Sequence, residues 1–222
     1  MKYRLHNRLG SGGFAVEATL VAAKLDFAFD PINSVPNQPL GAQVDSLNTW
    51  GQLPVLELQD GRKITETAAI LTHLSEVEPS VANGPNLWIE DRSQFLRWSI
   101  FLAVNVYEGI LRQSYSDRFF AANSMSDSEK AEVTSAIRQA AKDRVHHAFK
   151  CIEAETAGHK FLLGDRLSPC DIFLAMLYAW HNQKPDLPKC TMITTQVATH
   201  EDIRPIWKRN FHDRLDFRWH EL

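Results

Sequence analysis

The sequence predicts a small α/β domain joined by a short linker to an all-helical domain. Three observations carry that reading. Up to residue 78, short apolar runs with strand character alternate with helical ones. Glu78 to Asn86 holds two prolines and a glycine, which suits a linker closing the preceding helix. Beyond it, apolar residues recur at helical spacing nearly to the end. The domains are placed at 1–78 and 89–222, with the linker at 79–88.

The N-terminal elements follow in order. Tyr3-Arg4-Leu5-His6 reads as a strand, and Ala15 to Leu25 as a helix with Val16, Leu20 and Ala23 on one face. Phe27-Ala28-Phe29 is a second short strand. A loop holding Pro31, Pro36, Pro39 and Gly41 comes next. Pro54 to Leu58 is a third strand, and Asp60-Gly61 supplies a hairpin turn into Lys63-Ile64-Thr65. A helix from about Glu66 to Glu76 carries Ala69, Ile70 and Leu74 at helical spacing. In the second domain Phe95, Trp98, Leu102 and Val106 define one helix. Val133, Ile137, Ala141, Val145, Ala148 and Ile152 define another, and Phe173, Met176, Leu177 and Trp180 a third.

Composition bounds the function. With 222 residues, the chain is one large domain or two small ones on a prior of roughly 150 residues per domain. Hydrophobic residues make up 44% and charged residues 23%, enough apolar mass for a real core. Lys+Arg 24 against Asp+Glu 27 gives a net charge of -3, which argues against a nucleic-acid protein. No apolar run approaches the roughly 18 residues needed to span a bilayer, and Met1-Lys2-Tyr3-Arg4 leads into no signal-peptide core. Cys151, Cys170 and Cys190 are odd in number and far apart, with no zinc or disulfide spacing. A soluble, reduced, cytoplasmic protein is expected.

Leu9-Gly10-Ser11-Gly12-Gly13-Phe14, with the later Lys24, mimics a kinase nucleotide loop. The spacing leaves no room for the strands that separate loop and lysine in a kinase, and no catalytic loop follows. A dinucleotide fingerprint fails too, since Ala15 stands at its last position and no strand carries a ribose-binding acid. What remains is a flexible strand-to-helix turn. Such a turn aims N–H groups and one hydroxyl at a helix N-terminus and suits an anion or a thiolate.

Gly51-Gln52-Leu53-Pro54-Val55-Leu56 opens a strand with proline, which donates no ladder hydrogen bond. It reads either as an ordinary edge strand or as a cis turn offering Leu53's N–H and C=O to an extended peptide. Glu66-Thr67-Ala68-Ala69-Ile70 starts a helix. It reads either as plain capping or as a carboxylate for an ammonium group beside a hydroxyl and N–H groups for a carboxylate. In Phe161-Leu162-Leu163-Gly164-Asp165-Arg166-Leu167-Ser168-Pro169-Cys170-Asp171-Ile172, Ser168 is the N-cap, Pro169 the first helical residue, and Asp171 completes a capping box. Leu167 and Ile172 staple around it.

Taken in this order, these segments resemble the cytosolic glutathione S-transferase superfamily over nearly the whole chain. Thr67 stands where that family usually has serine, which keeps the hydroxyl. The resemblance implies an α/β thioredoxin-like N-terminal domain followed by an all-α helical-bundle domain, the glutathione transferase fold. It implies glutathione as co-substrate and no metal. Leu53 would pair with the cysteinyl unit beside Pro54, and Glu66 and Thr67 would hold the γ-glutamyl end. A small electrophile would sit in an apolar cleft near Tyr107 or Phe14. A homodimer is implied as well, with neither nucleic acid nor membrane as partner.

Catalysis would hold the ligand's thiol as thiolate. A thiol near pKa 8.5 must drop by about two units, roughly 2.7 kcal/mol, to be mostly ionised at pH 7. One hydroxyl donor supplies about 1.5–3 kcal/mol and a helix N-terminus about 0.3–2. Ser11 is the only hydroxyl in the first turn and is the expected catalytic partner. Counted back from Val16, the family's usual serine position falls on Gly10, so a one-residue loop difference is needed to bring Ser11 into place. A backbone N–H or Asn7 would be the substitutes. A member that binds glutathione or a protein without catalysis, and a glutathione-dependent disulfide reductase, are the other functions this pattern allows. His6 reads as a strand residue, His146-His147 as a solvated helix face, and the six tryptophans as core or domain-interface residues.

Overall fold

The computed structural model describes residues 2–33, 40–181 and 186–212. Among the described residues, four strands form one sheet in the order β2-β1-β3-β4: β1 Tyr3–Asn7, β2 Phe27–Pro31, β3 Val55–Leu58 and β4 Lys63–Thr65. β1 and β2 are parallel, which requires a crossover, and α1 (Gly13–Ala22) supplies it. β3 lies antiparallel to β1, and β4 to β3 through the turn at Gly61, whose φ is +82°. His6 stays in the sheet, its ring 2.8 Å from Asp30 and 3.2 Å from Glu57 on the neighbouring strands.

Nine of the ten residues of α1 are buried, so its sequence is apolar nearly all round. The reason is its position: it packs on α3 (Thr67–Val77) within its own domain and on α8 (Pro169–Trp180) and α10 (Arg204–Phe211) of the helical one. Its one charge, Glu17, is buried and paired with Arg209. Phe14 packs edge-on against Trp207 and Phe211, at 5.4 and 4.8 Å between ring centroids.

The capping box is as expected. Asp171 accepts from Ser168 N–H at 2.8 Å, from the Ser168 hydroxyl at 2.5 Å, and from Leu162 N–H at 2.8 Å. Burial pushes its carboxyl up to about 6, against the pull of those donors. Eleven residues of α8 are buried and α9 (Pro188–Thr199) packs along it, making α8 the axis of the second domain.

Several expectations are corrected. Ala42–Leu47 forms a short helix, α2, just after the expected loop, Pro31 ends β2 rather than lying in that loop, and Pro36 and Pro39 lie outside the described residues. The first helix runs Gly13–Ala22 rather than to Leu25. The stretch read as linker contains one turn of helix, α4 (Pro79–Ala82), and a bridge from Asn83 to Trp88. The helix through Phe95 and Val106 is three segments: α5 (Arg92–Phe101), a π-helical stretch at Leu102–Tyr107, and α6 (Glu108–Ser114). Val133 and Ile137 are only half-buried on α7 (Asp127–Glu155). His147 is exposed as expected, but His146 is half-buried and stacks on His181 at 5.7 Å. Trp50 is 74% exposed, unlike the core Trp98 and Trp207, and Trp219 lies outside the described residues. All three cysteines are free thiols.

Candidate functional site

A cleft of about 890 Å³ opens between the two domains. Gln52, Leu53, Pro54, Glu66 and Thr67 line its α/β side. Leu96, Ile100, Ala103, Tyr107 and Leu111 form the facing wall, with Tyr115, Arg118, Phe119 and Phe173 beyond them. Of the sequence-predicted residues, the fold therefore brings Leu53, Pro54, Glu66 and Thr67 together at one end of a single cavity.

The Leu53–Pro54 peptide bond is cis. Leu53 precedes β3, and its N–H and C=O take no hydrogen bond from other described residues, so both are open to a ligand. Glu66 has φ +67° and ψ +116°, a region that costs a non-glycine residue about 1–3 kcal/mol and clusters at ligand clamps. It is held there between β4 and the buried Thr67. Its carboxylate is thereby exposed beside the first N–H groups of α3, which have no intrahelical acceptor. A carboxylate and a helix N-terminus side by side complement an ammonium group and a carboxylate on one ligand. The Thr67 hydroxyl already donates to the Gly12 carbonyl at 3.1 Å, fastening α3 to the α1 turn.

The turn itself, residues 8–12, is braced from below. Ser11 is buried, its Oγ lies 2.7 Å from both Asn7 Oδ1 and the Arg8 carbonyl, and it does not line the cleft. Asn7 is fully buried, so packed against the helix start that a Cβ on Gly13 would fall 2.1 Å from its Cγ. Gly10 N–H donates to Asn210 Oδ1 at 2.9 Å, tying the turn to α10. Phe14, expected beside the electrophile, is instead core: its ring is fully buried because the turn points it at α10.

Tyr107 does line the cleft, but its hydroxyl reaches across to the turn, where it lies against Gly12. Burial pushes this phenol up to about 12; Glu66 and Tyr115 add to the rise, while Arg8 and the Gly12 N–H oppose it. Arg8 hydrogen-bonds Tyr115, whose phenol burial also raises. Arg8 and Tyr115 were not singled out by sequence reasoning. Residues more than a hundred positions apart carry no local pattern that joins them.

Residues 1–76 match the family model described as glutathione S-transferase, N-terminal domain, and residues 117–190 match glutathione S-transferase, C-terminal domain. A curated relative, the uncharacterized GST-like protein YncG of Escherichia coli (strain K12), is 22% identical over 175 residues, covering 77% of this chain and 78% of that protein. Among solved structures, a glutathione transferase homologue from Sulfitobacter with bound glutathione superposes with a TM-score of 0.77 at 16% identity, covering 92% of this chain and 96% of the other. A sphingomonad glutathione S-transferase complexed with glutathione gives 0.70 at 21% identity, over 92% and 97%.

Proposed function

Because the chain belongs to the glutathione S-transferase family, we propose that it conjugates the thiolate of glutathione to a small apolar electrophile. One observation carries the reading: a single cleft joins the open Leu53 backbone and the Glu66–Thr67 pair to the apolar wall of Leu96, Ile100, Ala103 and Leu111. Leu53 pairs with the cysteinyl amide and Pro54 fixes the edge beside it. Glu66 takes the γ-glutamyl ammonium, and Thr67 with the first turn of α3 takes its carboxylate. The thiol then points at the α1 turn, and the electrophile lies on the apolar wall. In the reaction the sulfur lone pair forms the S–C bond, and the displaced group leaves with its bonding pair.

Ser11 enters this scheme as the turn's own hydroxyl. Its present partners, Asn7 and the Arg8 carbonyl, brace the backbone, and it reaches sulfur only by giving them up. That placement favours, as the second reading, a member that binds glutathione without conjugating it. We place the protein in the reducing cytoplasm, consistent with three free thiols.

Calorimetric titration with reduced glutathione, and beside it with oxidised glutathione, tests the scheme. Binding of the reduced form followed by turnover of aryl or alkyl electrophiles is expected. Preference for the oxidised form points to a disulfide reductase, binding without turnover to the second reading, and binding of neither removes the site.

A further inference from the structure

The π-helical stretch Leu102–Tyr107 is the irregular element of the cleft wall, and such wide turns recur at functional sites. It buries Leu102 and Val106 fully while turning Ala103 and Tyr107 to the cleft. The Tyr107 ring is held by Phe173, edge-on at 6.2 Å, and by Trp180 at 5.6 Å. Its hydroxyl then meets the α1 turn so closely that a Cβ on Gly12 would lie 2.4 Å from it and 3.1 Å from the Thr67 hydroxyl. The hydroxyl's proton has no acceptor among the described residues. A half-buried phenol with an uncommitted proton, facing a cavity beside a helix N-terminus, is placed to donate to an anion.

We propose that Tyr107, contributed by the helical domain, is a catalytic residue that donates its phenolic hydrogen to the sulfur of bound glutathione. The inference rests on the glutathione-binding reading above. The thiol's proton leaves to solvent, Tyr107 keeps its own throughout, and the hydrogen bond holds the sulfur as thiolate. Arg8, which interacts with both Tyr107 and Tyr115, is a positioning residue: its charge favours an anion at that spot.

The test is Tyr107→Phe in the full chain, with two readouts. Calorimetry measures glutathione binding, and the ultraviolet absorbance of the glutathione-loaded protein against pH gives the midpoint of thiolate formation. Binding should persist, while the midpoint should rise by about one pH unit or more, with kcat falling at least about tenfold near neutral pH. Gly12→Ala supplies an independent variant. Its backbone, at φ -55° and ψ -20°, accepts alanine, but the new methyl displaces the hydroxyl, so the midpoint should move the same way. A Tyr107→Phe protein that binds glutathione with an unmoved midpoint overturns the assignment. Failure of the unaltered protein to bind glutathione overturns the underlying site instead.

Discussion

Gly12 is the point where three parts of the site touch: its carbonyl takes the Thr67 hydroxyl, the Tyr107 hydroxyl lies against it, and the α1 helix begins beside it. Thr67 therefore has two duties, one to the fold and one to the ligand. Thr67→Val keeps the shape and removes the hydroxyl. Loss of the bond to Gly12 should lower stability by about 1 kcal/mol, read as a drop in the thermal midpoint. Glutathione affinity in calorimetry should weaken by about 1–3 kcal/mol, because the carboxylate loses a neighbouring dipole and the turn loosens. Thr67→Ser should keep most of both, and an affinity unchanged in the valine variant would assign carboxylate recognition to the α3 N–H groups alone. That Leu53, Pro54, Glu66 and Thr67 would lie together was legible in the sequence because each belongs to a short segment with its own spacing. The direction of a side chain was not: Ser11 sits in the right turn and faces Asn7, whereas Tyr107, marked for the electrophile, reaches the turn from another domain.

Among the elements, α8 shows what local chemistry settles. Its start, Ser168-Pro169 with Asp171, specifies a helix from four residues, and the structure forms it with three donors on one buried carboxylate. Asp171→Asn keeps the size but sets an amide group against those donors, and should cost about 2–4 kcal/mol in chemical denaturation. The pH dependence has a definite sign. Burial raises the folded carboxyl to about 6, above the usual value of about 3.9 expected when unfolded, so the folded state holds a proton that the unfolded state has lost. The stability that proton contributes is complete below about pH 4 and is lost as pH rises through about 6. The gap in unfolding free energy between unaltered protein and Asp171→Asn should therefore narrow between those limits, and a gap that widens would mean the carboxyl is ionised throughout. Two elements stayed hidden for the opposite reason. α2 has only six residues, too few to show a period, and the π-helical turn changes hydrogen bonding without changing the spacing of Leu102 and Val106.

At the scale of the whole molecule, the cleft depends on two domains being held in register. α1 does this from one side: Phe14 packs edge-on against the contacting rings of Trp207 and Phe211, Glu17 pairs with Arg209, and Gly10 is tied to Asn210. The change of periodicity near residue 78 made the two domains legible, yet this seam was not, because nothing in α1 distinguishes a helix buried by its own domain from one buried by two. The rim of the cleft wall is exposed. Leu96, Ile100 and Val104 follow one another at helical spacing and remain 38%, 60% and 58% exposed, a row of apolar side chains beside the site. Burying such a row removes apolar surface from water at about 25 cal/mol per Å², which is the drive for association. The homodimer that the resemblance to the family implies would bury this face. Since Leu96 and Ile100 also line the cleft, dimer formation would close part of its rim. Ile100→Asp places a charge in the middle of the row. It should convert a dimer to monomer in sedimentation analysis, with the folded circular-dichroism spectrum kept, because Ile100 is mostly exposed within the single chain. Glutathione affinity should fall less than catalytic turnover, since Leu53, Glu66 and Thr67 are untouched while the electrophile's wall is opened to water. A sedimentation profile that Ile100→Asp does not change would remove this face from the interface.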